Sequence, residues 1–163
     1  MKKGKKLVCL MLALVMAFAF STTAFANTTR TFSMQAGANG MGAILTPGMS
    51  NVDSTFQSFF SVNGISGTVS AFHVTVGNST NNSGVMLVSS LNMRNPNFIE
   101  QRVSWNGAAN QRVNFTQFHG AALTGRYDIW FTCSYVSGYY IGTTLINQAT
   151  RSYKSATLSI TYR

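Results

Sequence analysis

The chain reads as an all-β protein, an antiparallel two-layer β-sandwich of about 8–9 strands with jelly-roll or Greek-key connections. Three observations lead there. Period-2 alternation of apolar and polar residues recurs along the chain, while no stretch carries a helical stripe. Polarity comes from Ser, Thr, Asn, Gln and Gly rather than from Lys and Glu, a composition that suits the exposed face of a sheet better than the surface of a helix. The apolar runs are separated by turn chemistry, with Asn-Gly at 63–64 and 106–107 and Ser-Gly at 137–138.

The first 26 residues stand apart. Lys2, Lys3, Lys5 and Lys6 precede an apolar run from Leu7 to Phe20, and Ala24-Phe25-Ala26 is a small-x-small site. This is the layout of a cleaved secretory signal peptide, and its apolar run of about 14 residues is short of the roughly 20 needed to span a bilayer. The expected protein is secreted, extracellular or associated with the cell surface, with no transmembrane anchor after cleavage. Residues 27–163 then form a single domain.

The strands are expected in this order. Thr29 to Gln35 places Phe32 and Met34 on one side. Residues 27–51 read as a flexible lead-in, rich in Gly, Ala and Met after Gln35, with one short strand near Ala43 to Leu45. Thr55 to Val62 sets Phe56, Phe60 and Val62 against Phe59. Val69 to Val76 sets Phe72, Val74 and Val76 inward. Asn78 to Gly84 reads as a polar loop, Val85 to Leu91 as a short apolar strand, and Arg94 to Asn97 as a turn. Phe98 to Trp105 turns Ile99, Val103 and Trp105 inward; Gln111 to Phe118 turns Val113 and Phe115 inward. Arg126 to Val136 is the strongest strand, with Tyr127, Ile129, Phe131, Cys133 and Tyr135 on one face. It is expected to fold back at Ser137-Gly138 into Tyr139 to Leu145. Ser155 to Tyr162 closes the set.

Charge and cysteine content narrow the function. Without the four leader lysines, eight of the twelve basic residues remain, against Asp53, Glu100 and Asp128, a formal charge of +5. Cys133 is then the only cysteine, so no internal disulfide forms and the thiol is expected in the core. No Cys or His cluster has metal-ligand spacing, no motif implies a cofactor, and no nucleophile elbow accompanies His73 or His119, which read as solvated. Glu100 and Asp128 share strand faces with Arg102 and Arg126, so ion pairing is expected of them rather than paired-carboxylate chemistry. A non-enzyme is expected, with a hydrolase the weakest alternative. Nucleic acid is not an expected partner, because no recognition motif is present.

Two groups of residues are candidates for binding. Arg102 and Arg112 flank the Asn106-Gly107 turn on polar faces, and Arg126 joins them if its strand is adjacent; together they would suit an anionic polymer. Trp130 lies on the polar side of its strand, Tyr135, Tyr139 and Tyr140 surround the Ser137-Gly138 turn, and these aromatic faces could stack on sugar rings or grip a peptide, although a strand covered on both faces, with Trp130 buried, is the plainer reading. The expected function is that of a secreted, non-catalytic β-sandwich at or near the cell surface, binding a polymer (glycan or anionic cell-wall material) or another protein. The alternative is a self-assembling or membrane-active structural protein, with Phe56, Phe59, Phe60 and the segment 35–51 forming an edge that pairs with other chains. The stretch Gly125 to Trp130 is too generic to assign a family.

Overall fold

The computed structural model describes residues 26–163; the signal peptide expected at residues 1–26 lies outside the described residues, apart from Ala26. The chain forms strands β1 (Thr28–Ser33), β2 (Met41–Leu45), β3 (Val52–Asp53), β4 (Ser58–Val62), β5 (Thr68–Val76), β6 (Ser79–Ser83), β7 (Val85–Arg94), β8 (Glu100–Ser104), β9 (Arg112–Asn114), β10 (Gly120–Ala121), β11 (Gly125–Ser137), β12 (Tyr139–Ile141), β13 (Thr144–Ile146), β14 (Ala149–Tyr153) and β15 (Ala156–Tyr162). A 3-10 turn at Thr116–Phe118 separates β9 from β10. All described pairings are antiparallel.

The sandwich has two main layers. The first sheet runs β1-β15-β5, and β5 carries both β9 and β10 on its far side. The second runs β3-β11-β7-β8, with β4 beside β3 along the same edge of β11. Their inward residues form one core: Phe72, Val74, Leu158 and Ile160 from the first sheet meet Ile129, Phe131, Leu91 and Met93 from the second. Phe72 and Tyr127 bridge the layers at 5.3 Å between ring centroids. A third sheet, β2-β14-β6, closes one end, where the Tyr153 ring touches both Phe131 and Trp105.

Several expectations are corrected. Asn78 to Gly84 is not a loop: Ser79–Ser83 is β6, paired to β14, with hydroxyl contacts Thr80–Ser152 at 3.0 Å and Ser83–Thr150 at 2.5 Å. The short strand expected near Ala43 to Leu45 is present as β2, but its Met41, Ala43 and Leu45 are buried in the core, so the segment around it is built into the sandwich rather than a flexible lead-in. The chain does not fold back at Ser137-Gly138; β12 pairs with β13 instead, around Gly142. Ile99 is exposed because β8 begins one residue later. The edge expected from Phe56, Phe59 and Phe60 is occupied within the chain, since Phe59 bridges Gln35, Phe56 bridges Gly42 and Phe60 is core.

Cys133 faces inward and is fully buried, its Sγ 3.7 Å from the Val52 carbonyl. Burial, reinforced by Asp53 and opposed by Arg151, pushes the thiol up to about 11. Alkylation of native protein at neutral pH should therefore be at least about a thousandfold slower than in denaturant, because the thiol reacts only after opening. Rapid labelling in mass-spectrometric time courses would place the thiol outside the core.

Candidate functional site

The outer face of the second sheet holds all three acidic residues of the described chain. Strand register writes that face as rows. Phe59, Asp128, Arg94 and Glu100 lie side by side across β4, β11, β7 and β8. The next row is Trp130, Asn92 and Arg102, and the next is Asp53, Thr132, Ser90 and Ser104. The alternation that sends Ile129 and Phe131 inward sends these residues outward.

Two polar clusters result. In one, the Thr132 hydroxyl donates to Asp53 at 2.7 Å, Asn92 Nδ2 donates to Thr132 at 2.7 Å, and Arg102 forks onto both Asp53 oxygens at 3.2 Å. Asn92 and Thr132 are buried beneath this network. In the other, Asp128 accepts from Arg94 Nη2 at 2.8 Å and from Arg126 Nε at 2.6 Å, while Arg94 also faces Glu100 at 3.8 Å. Burial pushes the Asp128 carboxyl up, but hydrogen bonds and charge from Arg94 and Arg126 outweigh it and hold the group below its ordinary value.

A pocket of about 230 Å³ opens beside the second cluster, lined by Arg94, Asn95, Pro96, Phe98, Arg126 and Asp128. The β7–β8 connection builds its wall. Buried Asn95 uses Oδ1 to accept from the Asn97 and Ile99 amides at 3.0 and 2.9 Å, and its carbonyl accepts from the Phe98 amide at 3.0 Å. Phe98 is thereby held at φ 62°, in the left-handed region that bulky residues avoid, with 79% of its surface exposed. Gly125 seats the loop against β11: at φ 134° it has no side chain, and a Cβ there would stand 3.0 Å from Pro96 Cγ. The Arg94 guanidinium lies 5.8 Å from the Phe98 ring centroid and that of Arg126 4.2 Å from Phe59. An exposed aromatic in a strained backbone, beside a fixed carboxylate and two guanidinium groups, makes this pocket the candidate site.

The candidates from the sequence are dispersed. Arg102 and Arg126 share this face but sit in different clusters, each neutralised by an acid. Arg112 lies on β9 of the first sheet, where its Nε donates to Asn114 at 3.0 Å, so the three arginines form no single patch. Trp130 is only 3% exposed, between the two clusters, and its indole N–H meets no protein acceptor. It cannot present a stacking surface. Tyr139 and Tyr140 belong to the β12–β13 hairpin, with Tyr139 half-buried and Tyr140 exposed. Asp128 and Arg126 were visible as an ion pair; Arg94 and Phe98 were missed, since each read as part of a turn or a strand start.

His119 is exposed, as expected, whereas His73 is half-buried on β5; burial, then Arg112, lowers it below its usual value. Among the described residues, no three His, Cys, Asp or Glu side chains gather as a metal would require.

No protein-family model and no curated protein matches the chain. A solved structure described as that of infectious bursal disease virus Gt strain is similar over 82% of this chain, at 13% identity and a TM-score of 0.37. The chain spans 32% of that chain's length, and a likeness at this level carries no functional information.

Proposed function

We propose that the protein is an exported, non-catalytic β-sandwich module that binds a glycan of the cell surface in the Phe98 pocket. The observation that carries this reading is the exposed Phe98 ring, fixed at φ 62° beside Arg94, Arg126 and Asp128. A sugar ring offers an apolar face to an aromatic and hydroxyls to planar donors and acceptors, the groups this pocket combines. Charge favours a neutral saccharide over a polyanion here. The three arginines of this face are matched by three carboxylates. The positive excess rides on Arg30, Arg112, Arg151, Lys154 and Arg163, in other elements.

The test is co-sedimentation of residues 27–163 with insoluble wall polysaccharides. Retention of the wild type at both low and high salt is expected, with Phe98→Ala weakening it by at least about tenfold. Phe98→Gly should weaken it equally while raising stability by up to about 1 kcal/mol, because glycine takes the left-handed conformation without a Cβ penalty. Wild-type retention unaffected by either substitution would sink the pocket. Retention that collapses with salt would favour an anionic polymer held by the remaining cations.

A further inference from the structure

We propose that the β12–β13 hairpin is a self-association surface, occupied by the same hairpin of a second copy of this chain. Its two strands pair with each other and with no other described strand, so each has an open backbone edge. An isolated two-stranded hairpin is marginal in water, and natural edges are usually blunted by charge or proline. This one has neither. Residues 129–150 contain no Asp, Glu, Lys, Arg, His or Pro.

The hairpin is also apolar where it meets solvent. Tyr140 and Leu145 are direct cross-strand partners on one face, 70% and 45% exposed, and Ile141 is 63% exposed. Val136 near the end of β11, with Val85 and Leu87 on the paired end of β7, extends exposed apolar surface toward the hairpin's base. Exposed apolar residues gathered in this way mark an interaction surface rather than the scattered exposure that is normal.

Charge and hydrogen bonding select the occupant. Two copies, each at +5 over residues 27–163, repel wherever their basic residues meet. The uncharged hairpin lets like meet like without that penalty. A lipid surface would accept the apolar side chains but leave the open edges unsatisfied, since hydrocarbon offers no partner for backbone amides. A second hairpin related by a two-fold axis supplies both the apolar cover and the missing strand. The contact is small, which places it among weak, concentration-dependent interfaces.

Sedimentation velocity of residues 27–163, from low micromolar to near-millimolar concentration, tests this. A reversible monomer–dimer equilibrium is expected. The double substitution Tyr140→Lys with Leu145→Glu keeps a favourable cross-strand pair within the hairpin while removing its apolar face, and should weaken dimerisation by at least about tenfold. Circular dichroism should show both proteins equally folded. If the variant fails to fold, hydrogen exchange of wild-type amides 139–146 replaces it, with protection expected to rise with protein concentration. A monomer at every concentration, a dimer indifferent to the substitution, or exchange independent of concentration each overturns the proposal. So does binding of a persistent monomer to phosphatidylglycerol vesicles, which would make the hairpin a lipid-contacting element. Glycan retention by the Phe98 pocket is read separately and stands or falls on its own.

Discussion

Phe131→Ala should cost about 3–5 kcal/mol of folding stability, measured by urea denaturation. The ring is fully buried in the middle of β11 and meets Tyr153 edge-on at 5.6 Å, where the third sheet joins the two main layers. Its backbone also fastens β11 to the segment after β3, with the Ser54 amide donating to the Phe131 carbonyl at 2.7 Å. Truncation leaves a cavity that three sheets would have to collapse together to fill. Against a total of about 5–15 kcal/mol for a domain of this kind, the loss threatens the folded state itself. Phe131→Leu keeps most of the volume and should cost under about 1.5 kcal/mol. Equal costs for the two substitutions would mean that this junction is not tightly packed.

Asp128→Asn should disable the pocket while sparing the core. The carboxylate fixes both Arg94 and Arg126, and its own side chain is only 15% exposed. An amide of the same shape leaves Arg126 without a counter-charge and Arg94 with Glu100 alone, 3.8 Å away. Under the proposed function, glycan affinity should fall by at least about tenfold, because Arg94 and Arg126 lose the carboxylate that holds them in the pocket wall. Stability should fall by about 1–2 kcal/mol, discounted because Arg126 is well exposed. The pH dependence fixes the sign. The folded-state pKa of Asp128 lies below its unfolded value, so the carboxylate's contribution is fully present above the unfolded pKa and is lost as pH falls through the folded one. Acid titration of stability should therefore be shallower in Asp128→Asn than in the wild type. Parallel titrations would show that the Arg94–Asp128–Arg126 cluster is not the group being read.

The legible parts of the fold were those with one dry face. β15 and most of β5 alternate because one side of each meets the core, and the inward residues of β11 keep the same period although Trp130 and Thr132 between them are buried as well. β6 was invisible for the converse reason. Ser-Thr-Asn-Asn-Ser has no apolar member, and it becomes a strand because β14 supplies a backbone partner and hydroxyls to match. Trp130 was placed on the correct face, yet period 2 says nothing of how deeply flanking residues cover an outward side chain. The pocket depends on long-range register: Asp128 meets Arg94 only because β11 pairs with β7 in one alignment. Phe98 could have been flagged locally. It follows Asn-Pro-Asn at a position where a hairpin connection often needs glycine, and a phenylalanine there is a local conflict of the kind binding sites retain.

The pairing of β1 with β15 has a kinetic consequence. Thr28 lies opposite Tyr162 and Ser33 opposite Thr157, so the first strand waits for the last. A chain emerging amino end first has nowhere to seat β1 until residues 156–162 are free, and closing so long a loop is entropically slow. Completion of the first layer is thus delayed until residues 156–162 are available, whereas every strand of the second sheet lies before residue 138 and needs no such wait.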